Sequence, residues 1–373
     1  MARYKKRKLS IKKLCRLFVP LILIVAIAIN FTKIITFVES KITGYEYDTI
    51  TVFHELDVYR DIKNHDYSET LERIIVSEYY NPKYLNSYLD IKYHEKEDFF
   101  ITINKLLDLG YEAKEINTIY DTFSDKEIVS FTNNNYLKDI INIINLSYFH
   151  QEDIERYLKY NNDNELEYTD LVTYVNASLD YKYYTNVVDI KEPDDILVLV
   201  NKYHKLASNY VPSDLETISS KYNQGWNNKM RHVAKEAFEK MCEAALKDGV
   251  TIYSGSAYRS YNYQQTLYNN YVYSNGFDKA ETFSARAGYS EHQTGLATDV
   301  MNKSGDFISK DDKEYTWLAD NSYKYGFILR YPEGKEKVTG YMYEEWHFRY
   351  VGVDIANEIT KLNLTYDEYI ARK

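Results

Sequence analysis

At 373 residues the chain exceeds the size at which one hydrophobic core stops growing, so more than one domain is expected. Its net charge of −10 is uneven: residues 1–40 carry nine Lys and Arg against one acid, leaving −18 on an acidic remainder that excludes nucleic acid as a partner. The two cysteines, Cys15 and Cys242, exclude a disulfide framework and a cysteine-rich zinc knuckle, so His, Asp and Glu would have to hold any metal.

The N-terminal residues predict a membrane anchor. Residues 1–16 form a basic tail, and residues 17–38 supply the roughly 20 mostly apolar residues that a spanning helix needs. The Lys and Arg excess before the span predicts a cytoplasmic tail and a catalytic region outside the cell membrane. A cleaved signal peptide is the alternative, because residues 26–28 have the small-x-small form, although they lie inside the apolar run.

Residues 39–193 predict an all-α region of short helical hairpins. Apolar residues recur there at helical spacing, and Gly110 follows one such stretch as a helix stop would. We expect this region to be an extracellular arm that acts as a spacer or engages a partner that the sequence does not identify. Its removal is expected to leave activity on soluble peptides intact.

Residues 194–373 predict an α+β domain built on a small antiparallel sheet. Residues 196–200 and 251–253 are expected as strands, because they are short and rich in β-branched or aromatic residues. Helices are expected over residues 231–249 and 263–273. In the first of them, the face expected to be buried consists of Val233, Ala237, Met241, Ala244 and Ala245.

Two stretches of this domain carry candidate metal ligands. Residues 288–299 contain His292 and Asp299, and residues 344–347 contain His347. A catalytic zinc ion typically takes three protein ligands and leaves a fourth position for water, so two imidazoles and a carboxylate would suffice. His292 and Asp299 can meet at one ion only if a turn intervenes, and residues 293–295 supply one.

The general base of such a site is ambiguous from the pattern alone. Glu344 and Glu345 both precede His347 closely. Apolar and polar residues alternate over positions 346–351 as on a strand, and on a regular strand Glu345 would share the face of His347. Spacing therefore leaves both glutamates open.

These motifs resemble those of the zinc D-alanyl-D-alanine carboxypeptidases related to vancomycin resistance. The pattern Ser-x-His-x-x-Gly-x-Ala-x-Asp over residues 290–299 is followed by Glu-x-Trp-His over residues 344–347. The resemblance extends over residues 197–369, with further matches at residues 256–261, 325–332 and 349–352.

The resemblance implies roles for seven residues in hydrolysis of the terminal D-Ala-D-Ala bond of peptidoglycan stem peptides. It implies zinc ligands (His292, Asp299, His347), a general base (Glu344), a cation for the oxyanion (Arg259) and contacts to the substrate terminus (Ser290, Gln264). An L,D-carboxypeptidase or endopeptidase with the same zinc site is one alternative. A catalytically silent protein that binds or senses cell-wall peptides is another.

Overall fold

The computed structural model describes residues 11–373 and begins with a long apolar helix, α1 (Ile11–Thr43). Its segment Phe18–Thr43 has a mean hydropathy of 2.4 and is almost entirely exposed. By length and composition this segment could cross a membrane, and a signal sequence would meet the same criteria. Residues 1–10 of the expected basic tail lie outside the described residues.

The described chain divides into two compact units, the first ending at Ile141 and the second running from Asn142 to Lys373. The first unit is helical, as expected. Ser68 caps one of its helices by accepting a hydrogen bond from the Leu71 amide at 3.2 Å, and Gly110, at φ +106°, ends another. After α1, the helices up to the division are α2 (Tyr47–Glu55), α3 (Tyr59–Ile62), α4 (Glu69–Ile75), α5 (Leu85–Asp90), α6 (Phe99–Leu109), α7 (Ala113–Thr122) and α8 (Asp125–Thr132), and α9 (Ile140–Ile144) contains the division.

The second unit combines helices with short strands. Its helices are α10 (Ile154–Asp163), α11 (Tyr168–Asn176), α12 (His232–Lys247), α13 (Tyr261–Asn275), α14 (Phe277–Phe283), α15 (Lys313–Asn321), α16 (Glu336–Thr339), α17 (Val353–Leu362) and α18 (Tyr366–Ala371). Its strands are β1 (Val188–Asp189), β2 (His204–Lys205), β3 (Leu215–Thr217), β4 (Asn223–Asn227), β5 (Lys229–Arg231), β6 (Tyr253–Ser256), β7 (Ala297–Met301), β8 (Phe327–Leu329) and β9 (His347–Tyr350). The domain boundary expected at residues 193/194 stays a prediction.

The main sheet has the order β4-β6-β7-β9-β8. It was expected to be antiparallel, and its pairs β6–β7, β7–β9 and β8–β9 are, but the edge pair β4–β6 is parallel and the sheet is therefore mixed. Helix α12 packs on it through Ala234, Phe238, Met241, Cys242 and Ala245, which join the same core as Val300 and Phe348.

Two details of the expected secondary structure are wrong. Residues 196–200 form no strand, because the carbonyl groups of Ile196 and Val198 accept hydrogen bonds from the Arg349 guanidinium at 2.8 and 2.9 Å. In α12 the buried face is rotated relative to the expected one: Val233 is exposed, and the larger Phe238 occupies the core.

Candidate active site

The sheet register places Asp299 and His347 side by side. The two residues are paired across the antiparallel strands β7 and β9, so their side chains project from the same face of the sheet. On the other side of β7, Asp299 is paired with Ser256 of β6, whose hydroxyl accepts a hydrogen bond from Arg259 Nε at 3.0 Å. The three central strands therefore converge on Asp299.

His292 reaches the same face through a tight turn. Residues Glu291–Thr294 form one turn of 3-10 helix, and Gly295 ends it at φ +66°. The expected turn is thus present. His292 is then fixed to the loop after β6 by two hydrogen bonds: its Nδ1 lies 2.7 Å from the Ala257 carbonyl oxygen, and its own carbonyl accepts from the Arg259 amide at 3.2 Å.

The donor atoms of the three residues fit a metal ion. Asp299 Oδ1 lies 3.4 Å from His292 Nε2 and 3.1 Å from His347 Nδ1, and all three donor atoms lie within 4.8 Å of one another. Ligands about 2.0–2.1 Å from a tetrahedral zinc ion are separated by roughly 3.3 Å. All three side chains are at most 5 % exposed and border a cleft, which leaves room for a fourth ligand.

Glu344 and Glu345 differ clearly in position. Both lie in the turn before β9, so strand alternation does not apply to them. Glu344 is buried and lines the cleft, with its Oε2 atom 3.7 Å from His347 Nδ1, whereas Glu345 is partly exposed and does not line it. The geometry therefore places Glu344, and not Glu345, beside the candidate metal ligands.

Burial and neighbouring charges set the ionisation of the site. Burial, aided by Arg259, lowers the pKa of His292 to about 4, which keeps its imidazole neutral as a metal ligand must be. Burial lowers the pKa of His347 as well, but the hydrogen bonds that its ring nitrogens donate to Asp299 and Glu291 outweigh it and raise the pKa to about 9. Burial raises the pKa of Glu344 to about 8, close to the range in which a general base works best.

Asp299 divides its two oxygens between different neighbours. Oδ1 faces both histidines, while Oδ2 accepts a short hydrogen bond from Arg259. Burial alone would raise the pKa of Asp299, but His292 and Arg259 hold it well below its usual value. Arg259 thus helps to keep the Asp299 carboxylate ionised and also lines the cleft.

The cleft encloses about 370 Å³ and is also lined by Gln264 and Ser290. Gln264 donates from Nε2 to the Ala285 carbonyl at 2.8 Å, and its buried Oε1 atom has no partner among the described residues. The seven expected site residues therefore line one cavity. Their separate roles stay predictions.

Two groups of residues in this region were missed from sequence. One is an apolar wall on α13, where Tyr263, Leu267 and Tyr271 line the cleft at a spacing of four residues that periodicity could have revealed. The other is a buried ionic cluster behind His347 that includes Glu291 and Arg330, and no sequence spacing signals it because its members come from distant segments.

Comparison with known proteins shows which family the sequence belongs to. The family model for VanY, a D-alanyl-D-alanine carboxypeptidase, matches residues 227–353. YodJ, a candidate carboxypeptidase of Bacillus subtilis (strain 168), is 40% identical over 208 residues, which are 52% of this chain and 76% of YodJ. The chain belongs to the VanY family of D-alanyl-D-alanine carboxypeptidases. The resemblance noted from the motifs is thereby confirmed.

Two further proteins to which the chain is similar are named for different activities. The Enterococcus gallinarum protein VanXYC, a bifunctional D-Ala-D-Ala dipeptidase and carboxypeptidase, is 35% identical over 180 residues, or 46% of this chain and 92% of that protein. The solved LdcB LD-carboxypeptidase is 39% identical, with a TM-score of 0.48 over 51% of this chain and 92% of LdcB.

Proposed function

We propose that this protein is a zinc D,D-carboxypeptidase that hydrolyses the terminal D-Ala-D-Ala bond of peptidoglycan stem peptides. The observation that carries the proposal is the convergence of His292, Asp299 and His347 on one cleft that also contains the buried Glu344. A zinc ion held by those three residues would supply Lewis-acid activation of the attacking water and of the scissile carbonyl.

The protein's own residues account for the remaining steps. Glu344 takes a proton from the attacking water as the new C–O bond forms, and gives it to the leaving amine as the C–N bond breaks. Arg259, held by Ser256 and Asp299, stabilises the negative charge on the carbonyl oxygen. Ser290 and Gln264 contact the substrate terminus.

The test is to incubate the full chain in detergent with a synthetic pentapeptide stem and to measure released D-alanine by mass spectrometry. Glu344→Gln is expected to lower kcat by about 10²–10⁴-fold while zinc content stays unchanged. Glu345→Gln is the matched control, because Glu345 precedes the same histidine but lies outside the cleft, and its rate should stay near that of the wild type.

Three outcomes would contradict the proposal in different ways. D-Alanine release that persists under thorough zinc chelation, or in His292→Ala, would overturn the metal mechanism. Release from a tetrapeptide stem in preference to the pentapeptide would identify an L,D-carboxypeptidase instead. Binding of stem peptides without any product at added zinc would identify a silent binding or sensing protein.

We also propose that α1 is an uncleaved anchor and that the catalytic unit lies outside the cell membrane. The support is the apolar segment Phe18–Thr43 and the basic residues that precede it. Protease added to intact cells should then degrade the catalytic unit, and the mature chain should retain its N-terminus. Recovery of a soluble form that lacks the apolar segment would indicate a signal sequence.

A further inference from the structure

Glu291 lies next to the ligand His292 in sequence, but its side chain serves the other histidine. It is 1 % exposed, and its Oε2 atom lies 3.4 Å from His347 Nε2. Its Oε1 atom accepts hydrogen bonds from Arg330 Nε at 2.7 Å and from Arg349 Nη1 at 3.1 Å. A buried carboxylate therefore joins the imidazole to two guanidinium groups.

The two arginines are themselves fixed. Arg330 is fully buried and donates to both carboxylate oxygens of Asp367 in α18, at 2.6 and 3.3 Å. Arg349 is fully buried and donates to the carbonyl groups of Ile196 and Val198. The negative charges of the Glu291 and Asp367 carboxylates thus balance the positive charges of the two arginines. The charge of Glu291 is therefore compensated without a proton from His347.

These contacts decide which nitrogen of each histidine faces the metal position. An ionised carboxylate only accepts hydrogen bonds, so the Nε2 atom of His347 must keep its proton and donate to Glu291. Nδ1, which faces Asp299, is therefore the nitrogen that would give up its proton to bind a metal ion. His292 is held the opposite way: its Nδ1 donates to the Ala257 carbonyl and its Nε2 faces Asp299. The two ligands use different nitrogens and different anchors.

We propose that Glu291 is the positioning residue of the metal site and that, fixed by Arg330 and Arg349, it holds His347 with Nδ1 turned toward the metal. The inference rests on the metal role assigned above to His292, Asp299 and His347. The Glu291 carboxylate is not one of the three clustered donor groups.

Glu291→Gln tests this role with almost no change in side-chain size. The arginines select the amide oxygen, because they can only donate, and the NH₂ group is left facing His347 Nε2. That nitrogen must then accept, which places the ring proton on Nδ1, the nitrogen needed by the metal. We expect the affinity of the full chain for zinc, measured by competition with a chromogenic chelator, to fall about 10–100-fold.

Asp367→Asn is the matched control. It removes one charge from the same buried cluster, but within the described residues Asp367 forms no hydrogen bond or ion pair with His347. The carboxylates that neighbour His347 are those of Glu291, Asp299 and Glu344. Its zinc affinity should stay within about threefold of the wild-type value. Glu291→Asp is a second variant that keeps the charge beside the arginines and withdraws the carboxylate from Nε2, so its affinity should also fall.

Cobalt substitution adds a readout that lost stability alone would not move. The visible absorption of the Co(II)-loaded protein should change in both Glu291 variants and stay unchanged in Asp367→Asn. Equal zinc affinity in the wild type and both Glu291 variants would overturn the positioning role. An equal loss in Asp367→Asn would also overturn it, by assigning the effect to the whole cluster. A wild-type protein that binds no zinc would instead refute the proposed metal centre.

Discussion

The ammonium group of Lys202 lies in a buried aromatic enclosure behind the cleft. Its Nζ atom donates to the Glu281 carbonyl at 2.8 Å and lies 4.4 and 4.7 Å from the ring centroids of Tyr183 and Tyr341. The Glu281 carboxylate is 3.9 Å away and is mostly engaged by Arg286. Burial therefore dominates and lowers the pKa of Lys202 from its ordinary value of 10.5 to about 8.

This shift makes stability depend on pH. Between pH 8 and 10.5 the unfolded chain holds a proton on Lys202 that the folded chain has released, so raising the pH favours folding. Below pH 8 Lys202 is protonated in both states, so burying its positive charge lowers the free energy of unfolding by the full amount. We expect the free energy of unfolding of the wild type, relative to Lys202→Met, to rise between pH 8 and 9.5 with a slope below about 1.4 kcal/mol per pH unit.

Urea unfolding at several pH values measures this slope. Lys182→Met removes a lysine from an exposed position nearby and should give a flat difference from the wild type over the same range. A flat difference for Lys202→Met as well would mean that the ammonium group is solvated. The range ends at pH 9.5 because the tyrosines of the unfolded chain begin to titrate near pH 10.

At the scale of single elements, the turn at Glu291–Thr294 sets the position of His292 relative to Asp299, the second of the candidate metal ligands. Gly295 ends this turn at φ +66°, and a Cβ atom there would lie 2.8 Å from Leu215 Cδ2 and 3.1 Å from Arg231 Cγ. Both the backbone angle and the crowding therefore favour glycine. Any shift of this turn moves His292 relative to Asp299.

Gly295→Ala is expected to lower the free energy of unfolding by about 1–3 kcal/mol and to weaken zinc binding as well. Gly334→Ala is the control, because Gly334 has a similar φ of +80° but no atom within 4 Å of an added Cβ. It should lose stability from the backbone angle alone and keep its affinity for zinc. Equal zinc affinities in the two variants would show that an added Cβ atom at position 295 does not move His292 enough to affect metal binding.

The sequence predicted elements well where local chemistry determines them. Helix α6 ends at Gly110 and the ligand turn ends at Gly295, because glycine readily adopts the left-handed conformation that each position requires. Residues 196–200 have the composition of a strand. However, Arg349, about 150 residues later, donates hydrogen bonds to the carbonyl groups of Ile196 and Val198. Such a contact leaves no local signal.

In the candidate site, too, features set by local sequence could be predicted, and contacts between distant segments could not. The motif residues His292, Asp299 and His347 could be named from sequence, and the structure brings their donor atoms together. Glu291 lies within the motif, but its role depends on Arg330 and Arg349, which come from two other segments. Its contact with His347 could therefore be read only from the three-dimensional arrangement.

At the scale of the second unit, helix α11 packs against the C-terminus. Asn176 donates to the Ala371 carbonyl at 3.1 Å, and Arg372 Nε donates to the Thr173 hydroxyl at 2.9 Å. The neighbouring Val172 and Val175 are fully buried. Residues 142–193, expected to be part of a dispensable arm, therefore support α18, the helix that holds Arg330 through Asp367.

Two truncated chains separate the parts of the expected arm. A chain of residues 142–373 should unfold cooperatively and bind zinc as the full chain does, because it keeps the contacts of α11 with the C-terminus. A chain of residues 194–373 exposes the surface of α18 that α11 covers. We expect its free energy of unfolding to be lower by about 2 kcal/mol or more. Both chains lack α1, so loss of the apolar helix cannot explain a difference between them. Equal stability and equal peptide hydrolysis in the two would show that the whole of residues 39–193 is dispensable for catalysis.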